Sequence, residues 1–421
     1  MSTTGRLTAG SLDVSASGAV SQEQWLAQRP ASPAATPASK RARIESIDVA
    51  RGVIMILMAL DHTREFFGIP GEDPTNLATT TVPLFFTRWI TYLCAPVFFL
   101  LMGTGAYLAG RRKSKGQLSW FLLTRGLWLI FLEVGLARCF VYQFNVDYRV
   151  TMLLVIWALG WALVVLSALV FLPVFLITAF GVLMIAGHNL LDSVESANPL
   201  WAILHSPGFV LNTPQHVVFV GYPLIPWIGV TAVGYSLGQV YGWNSERRRS
   251  FLLRLGLVLT LAFVIIRALN WYGDPFHWAP QRTAALTVLS FLNTIKYPPS
   301  LLFLLMTLGP ALLLLWAVDR GTPRILRPAL VIGKVPLFYY LLHFPLIHLL
   351  AIAVCYVRYG TVHWMFESDL SHYPITPPRG WGFSLPVVYL MWMIVVVAMY
   401  PLCRWFAGVK SRRSDPWLSY L

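Results

Sequence analysis

Charged residues are scarce in this sequence. Only 12% of its 421 residues are Asp, Glu, Lys or Arg, whereas 57% are hydrophobic. Soluble domains are about one-quarter charged and less apolar than this, so the composition excludes an ordinary soluble protein. We therefore predict an all-α polytopic integral membrane protein, with the lipid bilayer as its surroundings.

Motifs of soluble enzymes are also missing, because the chain has no phosphate-binding glycine loop, zinc signature, serine elbow or internal repeat. There are only four cysteines, which lie in or beside apolar segments without metal-ligand spacing, so we expect buried thiols, no disulfide framework and no metal site. The formal net charge is +14. Because the cations lie in short loops between apolar runs, we interpret them as membrane-orientation signals and expect no nucleic-acid partner.

The beginning of the chain lacks the continuous apolar core of a signal peptide. Residues 1–40 are rich in Ala, Ser, Thr, Pro and Gly, and we expect a disordered tail there. Residues 41–421 are expected to form one membrane domain. Its apolar runs, each long enough to cross a bilayer as a helix, number about ten: 44–66, 84–109, 118–142, 150–170, 172–191, 217–241, 251–269, 299–317, 335–358 and 382–408.

Lysine and arginine concentrate at alternate ends of these runs, as the positive-inside rule requires. Basic clusters at 111–115, 247–249 and 320–334 share one side, whereas the opposite side has only scattered cations. This alternation predicts that both termini are cytoplasmic. We expect a multi-pass protein of the inner (plasma) membrane. It also assigns the two ends of the first run to opposite sides.

Charged residues border the first apolar run at its cytoplasmic end. Asp48 and Arg51 are spaced i, i+3 and can pair across one helical turn. The pair either locks the helix end or lets Arg51, with the nearby basic loops, hold phosphate groups. The sequence favours these two readings about equally.

A second charged group borders the outer end of the same run. Helical spacing directs Asp61 towards Arg64 and His62 towards Glu65, rather than Asp61 towards its neighbour His62. A neutral imidazole beside a carboxylate at the wet end of a membrane cavity is suited to act as a general base. The alternative is an interfacial histidine capped by water.

Other polar residues lie within or beside later runs, where an ionisable group is costly and therefore indicates function. His343 and His348 are five residues apart and point in different directions on a helix, so a shared metal site is poorly supported. His343 is interpreted as a ligand-facing residue, and Lys296 and Tyr297 as substrate-binding candidates or interfacial residues. Glu133, in the middle of the third run, is expected to have a structural partner on another helix.

Several separated motifs resemble the bacterial branch of the heparan-alpha-glucosaminide N-acetyltransferase-like family, within the wider transmembrane acyltransferases. They are RIESIDVARGVIMILMALDH, LCAPVFFLLMGTGAYL, YPLIPWIGV, KYPPSLLFLLMTLGP and VPLFYYLLHFPLIHLL. The resemblance implies a helical bundle that transfers an acetyl or other short acyl group from cytoplasmic acyl-CoA, such as acetyl-CoA, to a sugar amine or hydroxyl on the outer side.

The same resemblance implies roles for residues at the two ends of the first run. Arg51, with Asp48, would receive the pyrophosphate of the donor, and the role of general base carries over to His62 alone. Asp61 is placed in the catalytic group because of its position beside His62. His343, Lys296, Tyr297 and Arg64 complete the predicted acceptor site.

The sequence leaves other functions open. A transporter for an envelope metabolite uses the same kinds of polar intramembrane residues, although the missing internal repeat counts against it. A non-catalytic scaffold explains the apolar runs but not the charges that border the first one. The acceptor, the acyl group, a direct or acyl-enzyme route and homo-oligomerisation are also left open.

Overall fold

The architecture is that of a helical membrane protein. A computed structural model describes residues 44–144, 147–367, 373–413 and 415–420; the predicted disordered tail, 1–40, lies outside them. The α-helices are α1 (Glu45–Phe67), α2 (Val82–Trp89), α3 (Cys94–Gly110), α4 (Lys115–Phe131), α5 (Val155–Leu169), α6 (Val174–Gly187), α7 (Pro199–Leu204), α8 (Leu224–Leu237), α9 (Ser245–Leu269), α10 (Ala284–Leu292), α11 (Leu301–Val318), α12 (Arg327–Gly333), α13 (Pro336–Tyr359) and α14 (Leu385–Arg412).

Shorter segments extend or join these helices. A π-helical segment, Leu132–Gln143, continues α4. The 3₁₀ segments are Ile90–Leu93, His188–Leu191, Gly238–Gly242, Arg324–Leu326, His363–Phe366 and Pro416–Tyr420, and the strands are β1 (Val150–Leu153), β2 (Gly208–Asn212) and β3 (Val217–Val220).

Seven helical segments among the described residues are long and apolar enough to cross a membrane, which confirms the predicted fold class. They are Val82–Gly110, Lys115–Tyr142, Val174–Leu191, Ser245–Leu269, Leu301–Val318, Pro336–Tyr359 and Leu385–Arg412. The remaining three predicted runs contain α1, which is rich in charge, and the short helices α5 and α8. All four cysteines are buried and free, as expected.

Two of the predicted helical runs begin as β-strands, which the sequence analysis missed. β3 lies between the other two strands and pairs in parallel with β1 and antiparallel with β2. Strands of four apolar residues carry no periodicity that separates them from the first turn of a buried helix. The runs 150–170 and 217–241 therefore become strand-then-helix units, whose helices begin at Val155 and Leu224.

Helix α1 packs against α3, α12, α13 and α14. Glu45 and Asp48 in its first turn and Arg64 in its last turn complement the helix dipole. At its C-terminal end, the indole of Trp381 donates to the carbonyl of Phe66 (2.9 Å) and the amide of Phe383 donates to the carbonyl of Phe67 (2.9 Å). These bonds satisfy carbonyls that a helix end leaves without intrahelical partners.

Two glycines bring α1 and α12 to backbone contact. A Cβ atom on Gly52 would lie 1.7 Å from the carbonyl oxygen of Ala329, and one on Gly333 would lie 1.7 Å from that of Asp48. Neither position has room for a side chain. The N-terminal half of α1 is consequently fixed against the segment that leads into α13.

We predict that Gly333→Ala destabilises the protein, because the added methyl group must displace the backbone of α1. Overpacking of this kind typically costs about 1–3 kcal/mol, and the melting temperature of the detergent-purified protein should fall accordingly. Gly116→Ala is the matched control, because a Cβ at this α4 position meets no atom within 4 Å. Equal melting temperatures for the two variants would refute the proposed contact.

Candidate functional site

A cavity of about 290 Å³ lies beside the C-terminal half of α1. We call it the His62 pocket. The strand residues Met152 and Phe219 line it, so the small sheet supplies part of its wall. Its polar and aromatic lining includes Asp61, His62, Glu65, Arg88, Tyr142, Tyr222, Lys296, Tyr297, Tyr340 and Tyr373.

His62 is oriented by a carboxylate one helical turn away. Its Nδ1 lies 2.9 Å from Oε2 of Glu65, which is the i, i+3 pairing that the sequence predicts. With the ring neutral, Nδ1–H donates to the carboxylate and Nε2 keeps a lone pair. The side chain is 20% exposed and lines the pocket, so this ring meets the geometric requirement for a general base.

Asp61 lies next to His62 but makes different contacts. Nη2 of Arg64 donates to its Oδ1 (2.5 Å), and Nη1 of Arg88 donates to both carboxylate oxygens (2.9 and 2.7 Å). A carboxylate that is nine-tenths buried is stable only when it is paired and hydrogen-bonded in this way. Through these bonds, Asp61 holds the C-terminal end of α1 in place.

Arg88 is the residue that sequence reasoning missed. It lies on α2, 27 residues from Asp61, and lines three adjoining cavities at this end of α1. The sequence showed it only as a scattered cation on the outer side. A charged residue inside an apolar run signals an intramembrane pair, but the partner cannot be identified from spacing because it lies on another helix.

The predicted acceptor-site residues Lys296 and Tyr297 line the His62 pocket. Lys296 is buried, and its Nζ lies 5.9 Å from the ring centre of Tyr92 and 5.2 Å from that of Tyr297. The hydroxyl of Tyr297 donates to that of Tyr222 (3.2 Å). This wall therefore offers a cation and phenol groups to a ligand.

Tyr373 adds a hydroxyl group to the pocket from the segment before α14. It makes no hydrogen bond to any described residue. Burial raises the pKa of Tyr373 well above its ordinary value, so the phenol stays protonated and can donate to a ligand. The predicted residue Arg64 lines a neighbouring cavity of about 430 Å³, which shares Tyr373 and Arg88 with the His62 pocket.

His343 packs directly against His62. Their ring centres are 5.4 Å apart, and Nδ1 of His343 contacts the carbonyl oxygens of Tyr339 (3.0 Å) and Tyr340 (2.8 Å). A ring nitrogen between two carbonyl oxygens carries the proton, so Nε2 is an acceptor. His343 is fully buried and adjoins the pocket through His62, without lining it.

Glu133 is buried where the pocket meets the bundle core. The hydroxyl of Tyr142 (3.2 Å) and the amide of Leu154 (3.3 Å) donate to its Oε1. Tyr142 in turn lies 2.7 Å from the hydroxyl of Tyr340 on α13. The expected link from Glu133 to another helix therefore exists, but it passes through Tyr142.

A second cavity, of about 270 Å³, lies beside the N-terminal half of α1. We call it the Arg51 pocket, because Arg51 and Arg125 are among the residues that line it. Nη1 of Arg51 lies 3.4 Å from Oδ1 of Asp48, which is the predicted pair. Asp48 is buried behind Arg51, and the guanidinium group of Arg125 stacks on Tyr420 at 4.6 Å.

The two pockets adjoin each other, because Phe98, Val155 and Tyr340 line both of them. Arg51 and His62 are eleven positions apart on one helix, which corresponds to about 16 Å along its axis. Two arginines and a histidine base therefore line neighbouring pockets beside one helix.

Residues 43–278 match the sequence model of the family described as heparan-alpha-glucosaminide N-acetyltransferase, catalytic. The match covers more than half of the chain, including α1 and most of both pockets. No curated protein matches the sequence.

The family and the helical architecture together support a membrane protein with an acetyltransferase-like function. The match confirms the resemblance drawn from the separated motifs. This chain belongs to the heparan-alpha-glucosaminide N-acetyltransferase catalytic-domain family.

Proposed function

We propose that this protein transfers an acetyl group from acetyl-CoA in the cytoplasm to an amine or hydroxyl group of a sugar on the opposite side of the membrane. The observation that supports this most strongly is that the Arg51 pocket and the His62 pocket adjoin each other and share Tyr340 in their lining. One pocket offers cations for a phosphorylated donor, and the other offers a histidine base for an acceptor.

The donor is proposed to enter through the Arg51 pocket. Arg51 and Arg125 suit the diphosphate of coenzyme A, because guanidinium groups bind phosphate oxygens through charge-assisted hydrogen bonds. Asp48 pairs with Arg51 and limits its rotamers. The apolar lining, which includes Met55, Met102 and Leu159, then guides the acyl-carrying arm towards Tyr340. The basic clusters at alternate helix ends support a cytoplasmic position for this pocket.

Transfer is proposed to occur at His62. Nε2 of His62 removes a proton from the acceptor nitrogen or oxygen as that atom attacks the thioester carbonyl, and the Nδ1–H bond to Glu65 stabilises the imidazolium. Collapse of the tetrahedral intermediate breaks the carbon–sulfur bond. The proton passes from His62 to the departing thiolate, which leaves as the free thiol of coenzyme A.

The remaining predicted residues are proposed to hold the acceptor and the base. Lys296 and Tyr297 line the His62 pocket and offer hydrogen-bond donors to sugar oxygens. Arg64 lines the adjoining cavity and can bind acceptor groups that extend into it. His343 supports the ring of His62. Asp61 is a positioning residue, because its two guanidinium partners fix the turn that carries the base.

His62→Ala is predicted to lower kcat for acetyl transfer at least about 100-fold, because general acid–base catalysis contributes about 10²–10⁴-fold. The assay uses purified protein, acetyl-CoA and glucosamine, with the melting temperature as the test of folding. His216→Ala is the matched control, because His216 is exposed beside the small sheet. Near-wild-type transfer by His62→Ala refutes the assignment, and acceptor uptake into proteoliposomes without acetyl-CoA favours a transporter.

Arg51→Gln is predicted to raise KM for acetyl-CoA about tenfold with a smaller change in kcat, because a hydrogen bond to a charged group contributes about 1.5–3 kcal/mol. Arg125→Gln should act in the same direction, and it leaves the Asp48 pair intact. Arg320→Gln is the control, because this exposed arginine lies in the loop after α11 and lines neither pocket. Unchanged donor KM in both pocket variants would exclude donor binding there.

Arg88→Met is predicted to lower the free energy of unfolding by about 1.5–3 kcal/mol, because it removes charge-assisted hydrogen bonds to a buried carboxylate and leaves Arg64 as the partner of Asp61. The double variant Asp61→Asn/Arg88→Met should recover part of this loss, since the buried carboxylate is replaced by a neutral amide. Melting temperatures of the single and double variants provide the comparison. A double variant less stable than Arg88→Met alone would contradict the account of Asp61.

A further inference from the structure

A second group of ligand-type side chains lies outside the proposed acyl-transfer site. His188 begins the 3₁₀ segment after α6, Asp192 follows that segment, and His205 directly follows α7. One ligand atom from each of the three lies within 4.8 Å of the others. The sequence alone predicts no metal site, because these residues match no zinc signature and come together only through the fold.

His188 is the observation that requires an explanation. Its side chain is 2% exposed, and neither of its ring nitrogens makes a hydrogen bond of normal geometry to a described residue. The backbone of Pro299 approaches the ring without forming such a bond. A buried polar group without a well-formed hydrogen bond is expensive, and the nitrogens of such an imidazole ring are available as metal ligands.

His205 and Asp192 are direct neighbours. Nε2 of His205 lies 3.5 Å from Oδ1 of Asp192, so the imidazole ring and the carboxylate are close enough to share one ion. His205 is also buried, and its Nδ1 makes no hydrogen bond to a described residue. A simple His205–Asp192 pair would leave His188 unexplained, whereas a shared ion accounts for all three residues.

Hydrogen bonds from neighbouring groups orient the side chains of Asp192 and His205. Nδ2 of Asn189 donates to Oδ2 of Asp192 (2.7 Å), which directs the other oxygen, Oδ1, towards His205. Nε2–H of His205 donates to the carbonyl oxygen of His188 (3.0 Å), so Nδ1 keeps the lone pair that a metal ion needs. Hydrogen bonds to the outer groups of metal ligands fix ligand orientation in known sites.

We propose that His188, Asp192 and His205 bind one divalent transition-metal ion, with Zn²⁺ the best match to two imidazoles and one carboxylate. Water takes the fourth position.

The ion joins the end of α6 to α7, and α7 is followed by Pro207, which lines the His62 pocket. On the other side, Asn189 accepts a hydrogen bond from the amide of Leu301 (2.9 Å) at the start of α11. The metal ion therefore stabilises the segments beside that pocket, namely the end of α6, α7 and the start of α11.

The test measures metal content in the full chain, purified in detergent, stripped with EDTA, incubated with Zn²⁺ and desalted. Elemental analysis is expected to find about one equivalent of zinc per chain in the wild type. His188→Ala and His205→Ala should lose that zinc, whereas the control His216→Ala, which removes an exposed histidine, should retain it. Loading with Co²⁺ should give the visible absorption of a tetrahedral N/O site in the wild type and the control alone.

Asp192→Asn keeps the size of the side chain and provides a variant expected to fold without metal. Zinc should raise the melting temperature of the wild type and of His216→Ala, but not that of Asp192→Asn, because a ligand that binds only the folded state stabilises it. Wild-type protein that retains no stoichiometric zinc and shows no cobalt spectrum overturns the proposal. Equal zinc content in His188→Ala and the wild type overturns it as well.

Discussion

The carboxylate of Asp61 and its two guanidinium partners, Arg64 and Arg88, form the interaction on which the rest of the site depends. A buried carboxylate is costly unless charge and hydrogen bonds compensate it, and here one partner comes from the same helix and the other from α2. This pairing fixes the C-terminal turns of α1. Because adjacent helical residues point about 100° apart, fixing Asp61 directs its neighbour His62 towards Glu65 and the cavity.

Helix α1 also carries residues of both pockets of the proposed site. Its N-terminal half is held against α12 by Gly52 and Gly333, and the Arg51 pocket lies beside it. Its C-terminal half carries the histidine base. Tyr340 stands between the two pockets and bonds to Tyr142, which is linked to Glu133. The proposed reaction requires this arrangement, in which the cations and the base are separated along one helix but line adjoining pockets.

Local pairings were predictable from the sequence, and long-range ones were not. The i, i+3 spacing predicts His62 with Glu65 and Asp61 with Arg64, because a helix fixes which residues are neighbours. The pairing of Arg88 with Asp61 joins separate helices, and no spacing encodes it. The strands at Val150–Leu153 and Val217–Val220 were missed for a different reason: each apolar run contains a strand and a helix, and hydrophobicity alone does not divide them.

The most direct test of transfer across the membrane uses sealed proteoliposomes with the protein in a known orientation. Acetyl-CoA is supplied on one side only, and glucosamine is supplied on the opposite side or on the same side. The account predicts acetylated product on the far side when the donor faces the end of α1 that carries Arg51, and no product when the donor faces the His62 end. Product formed only when donor and acceptor share one compartment would contradict it.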